Sequence, residues 1–227
     1  MERNRVIDRL PAQGSIAAMH RYADGIERFV KSFAFSATLF FVWGFLAAAQ
    51  VRSLYRDFRW TELLWTTYNA LLAILFLVRS RPSVVSLLPI HWAVALITSF
   101  AGMLFQRNAA STFVLFPIGD GLVYVGVLGS ILVAVTLGRS YDFVPALRGV
   151  QTGWLYRLVR HPMYTFSITV RLGYVLRNVT VYNVLMLVVI VGLYRLRAAY
   201  EEQVMGQDPK YADYLQKVRF RFVPFVC

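Results

Sequence analysis

The chain has 227 residues, 58% of them hydrophobic and only 16% charged, with 24 Lys and Arg against 12 Asp and Glu for a net charge of +12. A soluble domain runs at about 45–50% apolar and about 25% charged, so a disordered tail is excluded. A nucleic-acid module would crowd its basic residues onto one face, whereas here they separate long apolar runs. The single cysteine, Cys227, stands last, which argues against a disulfide scaffold, a thiolate metal cluster and a prenylation box.

In chain order, residues 1–31 alternate charged and small residues, including Arg3, Arg5, Arg9, Arg21 and Arg28, and read as a cytoplasmic N-terminal arm, not a cleavable signal. Ser32–Val51 carries no charge and is long enough, at about 1.5 Å per residue, to cross a hydrocarbon core of ~30 Å. Leu63–Val78 is shorter, with Trp65 and Tyr68 expected at an interface to extend it. Pro82–Gln106 and Thr112–Gly138 complete four expected spans, the last interrupted early by Asp120. Residues 139–162 are too polar to span. Beyond them the stretch 163–177, the turn at Arg177-Asn178 and the apolar run to Tyr194 read as a helical hairpin, with a polar, helical tail from Arg195.

The expected fold is therefore all-α: a polytopic membrane helix bundle of about four spans (32–138), then a C-terminal region (139–227) of connector, hairpin and cytoplasmic tail helix. With the N-terminus inside, eighteen Lys and Arg fall on the cytoplasmic side and five outside, which fits the positive-inside rule. Topology accounts for most of the net charge, and no nucleic-acid partner is implied.

Three features exceed what membrane packing requires. The first is Tyr156 to Tyr164, which includes Arg160, His161, Pro162 and Met163. It is either an interfacial collar of snorkelling Arg and anchoring Tyr or a polar ligand site at the mouth of the bundle. Second is Arg197-Ala198-Ala199-Tyr200-Glu201-Glu202, where Arg197 and Glu201 share a helical face, either as a surface pair or as ligand contacts. The third is Arg171 inside the hairpin, a functional candidate by its depth unless it snorkels. His91 and Asp120 read as satisfied polar residues between helices. Three histidines and no intramembrane carboxylate cluster leave no expected metal site.

Arg160-His161-Pro162-Met163-Tyr164 followed by Arg197-x3-Glu201-Glu202 resembles the isoprenylcysteine carboxyl methyltransferase family, which in turn resembles the phospholipid methyltransferases. Leu137-Gly138-Arg139-Ser140, Gly153, Tyr156, Tyr211-x2-Tyr214 and Pro224 agree with it, so the resemblance covers roughly residues 118–226. It implies a bacterial-type, integral-membrane enzyme that moves a methyl group from S-adenosyl-L-methionine to a small lipophilic acceptor or lipid, O-methylation being favoured. The expected location is a bacterial inner membrane, with the site on the cytoplasmic face. The cofactor is implied to contact Tyr156, Arg160, His161, Pro162, Met163, Tyr164 and Glu201, with the strip Arg148, Gly149, Val150 and Gln151 closing over it. Arg197 is implied to face the acceptor with Arg171 as a second candidate contact, and Arg197 and Glu202 are the expected catalytic pair. Phe166 stands where the family has Gly, which implies a narrower pocket floor. Competing expectations are a phospholipid N-methyltransferase, an NADPH-dependent sterol or steroid reductase using Arg148 and Arg157 for the 2′-phosphate, and a non-catalytic membrane scaffold.

Overall fold

The computed structural model describes residues 24–108 and 116–223; most of the expected arm, the start of the fourth expected span, Pro224 and Cys227 lie outside the described residues. Helix α1 covers 24–31 and meets α2 (Phe33–Arg56) at Ser32, whose side chain caps α2 by accepting from the Phe35 N–H. Then come α3 (Trp60–Val78), α4 (Pro89–Phe100), α5 (Phe116–Leu137), α6 (Pro162–Arg177), α7 (Val181–Met205) and α8 (Pro209–Lys217). Two-residue strands β1 (Val84–Val85) and β2 (Ala146–Leu147) pair antiparallel. The fold is the all-α polytopic bundle expected, and four helices, α2, α3, α5 and α7, are long and apolar enough to cross a membrane.

The third expected span is not one of them. Pro82–Gln106 divides into an extended stretch with β1, the twelve-residue α4, and a 3-10 turn at Ala101–Leu104. At about 1.5 Å per residue α4 covers about 18 Å, well short of the ~30 Å core. Residues ahead of Pro89 are held by the connector instead: the Ser86 N–H donates to the Pro145 carbonyl, and Val84 faces Leu147. Pro89 then opens the helix in its first turn. The fourth helix long enough to cross is α7, which continues unbroken through Arg195 to Met205. The broken stretch still runs from the connector at Pro145 to the hairpin turn, where Gln106 and Asn108 meet Asn183 and Asn178.

α5 and α6 lie backbone to backbone because glycines line their contact. A Cβ on Gly173 of α6 would stand 2.6 Å from the Gly119 carbonyl oxygen and 2.9 Å from the Val123 nitrogen, and one on Gly126 of α5 would stand 2.8 Å from the Val170 nitrogen. Membrane helices use small residues in this way, since lipid supplies no hydrophobic drive between them. The Phe166 ring sits directly on Gly129 of α5. At the end of the seam Asp120 pairs with Arg177 at 2.9 Å, as an interhelical polar residue should. Outward faces of α2 and α7, including Phe41, Phe45, Leu185 and Val188, are exposed in the stripe expected against lipid.

A buried ion triad joins the connector to the first helices. Asp142 accepts from Arg79 (2.8 Å) and Arg148 (2.7 Å), while Arg79 also donates to Ser36 Oγ and the Val30 carbonyl. Arg79 counted only as a boundary charge in the sequence. Its burial pulls its pKa below the usual value, against the raising effect of Asp142.

Candidate active site

One cavity of about 720 Å³ runs through the bundle. At its polar end the backbone N–H groups of Arg160 and His161 donate to the Phe220 and Arg221 carbonyls, which ties the start of α6 to the tail. Pro162 then opens α6 at N1, so His161 and Tyr164 fall one turn apart on its inner face. Their rings are parallel within 5° at 5.4 Å. From α7, Glu201 accepts a short hydrogen bond from the Tyr164 hydroxyl and lies 3.5 Å from Arg197 Nε and 3.7 Å from His161 Nδ1.

Arg197 is buried one turn deeper. Its Nη1 donates to Thr98 Oγ1 (2.8 Å) and Ser99 Oγ, and its Nη2 donates to the Phe143 carbonyl (2.7 Å). Its Cζ lies 5.3 Å over the Tyr164 ring. Thr98 belongs to the last turn of α4, whose final carbonyls lack helical partners and carry the negative end of the helix dipole. A short helix can end inside the bundle because arginines from α6 and α7 satisfy that end. No periodicity marked Thr98 and Ser99; the apolar run around them hid their role.

The adjacent carboxylates part company. Glu202 does not line the cavity. It holds Arg221 (2.7 Å), His161 Nε2 (3.2 Å) and Arg160 (3.5 Å), and so clamps the tail to the start of α6. These three neighbours turn the Glu202 carboxylate to the tail, whereas the sequence placed it in the expected catalytic pair.

Of the other expected contacts, Arg148, Gly149, Gln151, Tyr156, Arg160, Met163 and Arg171 line the cavity along with His161, Tyr164, Arg197 and Glu201. Pro162 and Val150 do not: Pro162 is fully buried at the helix start, and Val150 packs in the apolar cluster with Tyr156, Tyr211 and Tyr214. Arg160 is occupied with the tail, donating to the Val218 and Leu215 carbonyls. Phe166 does not narrow the floor, because its ring fills the notch above Gly129 on the opposite face of α6. Tyr68 is no interfacial anchor but lines the cavity, its hydroxyl 3.7 Å from Met163 Sδ. His91 is satisfied by Ser86 Oγ at 2.6 Å and stacks on Tyr200 at 4.0 Å. Tyr214 donates to the Tyr156 carbonyl (2.7 Å), and burial pushes the pKa of both phenols up.

An exposed Arg157 lies off the cavity while Arg148 is committed to Asp142 inside it, so the two do not converge on a phosphate. Among the described residues no group of His, Cys, Asp and Glu is placed to hold a metal.

Residues 114–208 match the phospholipid methyltransferase family. That stretch takes in α5 and its glycines, the connector, the hairpin and both carboxylates, and it agrees with the family read from the motif. The match covers less than half of the chain and supports a membrane methyltransferase acting on lipids. No curated protein and no solved structure matches the chain.

Proposed function

We propose that the protein is an S-adenosylmethionine-dependent methyltransferase of a bacterial inner membrane, with its polar mouth on the cytoplasmic side, acting on a lipophilic carboxylate. The observation that carries this reading is the chain His161–Tyr164–Glu201–Arg197, placed where a polar mouth meets a cavity at membrane depth. The orientation is supported by the eighteen-to-five split of Lys and Arg.

The residues present fit the cofactor. Glu201 offers a carboxylate for an ammonium group. Arg148 keeps a buried Nη2 donor with no partner among the described residues, suited to a carboxylate, and its guanidinium is fixed from behind by Asp142. Tyr156 and His161 supply flat faces for a purine. When bound, S-adenosylmethionine supplies an electrophilic methyl on a sulfonium. What the protein adds is alignment, worth up to ~7–11 kcal/mol in a bimolecular transfer. Arg197 stays charged and orients an acceptor oxygen without taking a proton. Glu202 is turned to the tail, and Glu201 is engaged by Tyr164 and Arg197, so the arrangement suits an acceptor that is already ionised and needs no base. A phospholipid amine is the second reading, favoured by the description of the matched family.

Isothermal titration of the purified protein with S-adenosylhomocysteine and with NADPH tests the reading. Micromolar binding of the former is expected, weakened at least tenfold by His161→Ala and by Glu201→Gln with the fold retained. Binding of NADPH alone, or variants that bind like the parent, would sink it.

A further inference from the structure

Two turns beyond Tyr164, α6 carries a second guanidinium at membrane depth. Arg171 is only 9% exposed; its Nη1 donates to the Ser167 carbonyl (2.8 Å) and its Nη2 to the Thr98 carbonyl (3.0 Å). Its Cζ lies 5.3 Å over the Tyr194 ring. Its Nε has no hydrogen-bond partner, and no carboxylate pairs with it among the described residues, although it stands in the cavity wall. The stitch from α4 to α6 uses only its Nη groups and leaves a guanidinium in the cavity wall with no carboxylate to balance it among the described residues.

Arg197 ends on the same Thr98, through its hydroxyl, and its Nε also lacks a hydrogen bond. Two guanidiniums bonded to one threonine lie within about 10 Å of each other. They rest on neighbouring rings, since Tyr164 and Tyr194 are 5.1 Å apart. One carboxylate, Glu201, faces the pair, and the end of α4 contributes only partial charge of about one half. This wall therefore carries more positive charge than the protein balances. An amine headgroup would add a further cation to it; an oxyanion would neutralise it.

We propose that Arg171 and Arg197 form a seat for an oxyanion headgroup on an apolar chain, a carboxylate or a phosphate drawn from the bilayer. Trp43, Leu46, Leu72 and Phe100 line the same cavity and suit the chain that follows. The seat rests on the methyltransferase reading only in making its occupant the methyl acceptor.

The test is equilibrium binding to the full chain in an uncharged detergent, with and without S-adenosylhomocysteine, read by quenching of tryptophan fluorescence, since Trp43 and Trp65 line the cavity. The ligands are dodecanoate, dodecyl phosphate, dodecanol and dodecylamine. Saturable binding of at least one oxyanion, ten or more times tighter than dodecanol and dodecylamine, is expected, and which oxyanion binds tighter separates a carboxylate source from a phosphate source. Arg171→Gln should weaken the oxyanion at least tenfold without affecting dodecanol; Arg171→Lys should lose less. Arg157→Gln, exposed and off the cavity, removes the same charge and should change nothing. Dodecanol bound as tightly as both oxyanions overturns the seat, as does an Arg171→Gln variant that binds like the parent. If Arg171→Gln does not fold, the parent's selectivity and Arg171→Lys decide: an unselective parent, or a Lys variant that has lost all oxyanion preference while dodecanol still binds, rejects it. Oxyanion preference in a protein that does not bind S-adenosylhomocysteine would sink the methyltransferase reading and leave the seat standing.

Discussion

The two faces of α6 are built on opposite principles. One face, with Phe166, Val170 and Gly173, presses against Gly119, Gly126 and Gly129 of α5 so closely that backbone meets backbone. The other, with His161, Tyr164, Ser167, Arg171 and Tyr174, borders a cavity and carries most of the polar groups of the helix. The comparison teaches that the open face depends on the closed one. A helix anchored dry and tight on one side can hold idle donors and a buried carboxylate partner on the other without collapsing onto them.

The sharpest way to break the closed face is Gly173→Ala. The added methyl meets backbone atoms of α5 on two sides, and backbone cannot rotate away. A loss of more than about 3 kcal/mol is expected, at the upper end for overpacking, seen as loss of monodisperse protein or a large fall in thermal midpoint. Phe166→Ala leaves a hole over Gly129 and should cost about 3 kcal/mol while S-adenosylhomocysteine affinity stays within twofold. A large affinity change would return Phe166 to the pocket floor.

The adjacent carboxylates sharpen the same contrast from α7. Glu202→Gln leaves Arg160 and Arg221 without their counter-charge and should destabilise by about 2–3 kcal/mol, with cofactor affinity little changed. Glu201→Gln should do the reverse. Equal effects on both measures from the two variants would mean that the cavity wall and the tail clamp are one unit. Arg197→Lys keeps the charge but loses the planar fork, so methyl transfer at saturating cofactor should fall more than tenfold, or over ~1.4 kcal/mol in barrier.

The smallest effect belongs to the tail. Tyr156 and Tyr214 have pKa values raised by burial above the unfolded value of about 10. Their contribution to stability is therefore complete below pH 10 and lost as the pH climbs from there toward their folded values. Tyr214→Phe should flatten that alkaline decline in a thermal-melt series; an unchanged slope would remove Tyr214 as its source.

Composition and run length determined the membrane class by themselves, because about twenty uncharged residues have no stable place but a bilayer or a large core. The hairpin was legible for the same reason, and its turn at Arg177-Asn178 is where α6 ends. Local spacing also put Arg197 on the face of Glu201, since i and i+4 share a helix side whatever the fold. Other features were decided only by contacts between distant segments. Pro82–Gln106 reads as a span, yet α4 stops inside the bundle because Arg171 and Arg197, some seventy-three and ninety-nine residues away, satisfy its last turn at Thr98. Glu201 and Glu202 are the same residue side by side. Neighbours on a helix point about 100° apart; that Glu201 meets the cavity at Tyr164 and Glu202 the tail at Arg221 was decided by packing. Hydrophobic pattern reports how deep a residue lies, and which neighbour meets it there is fixed by packing.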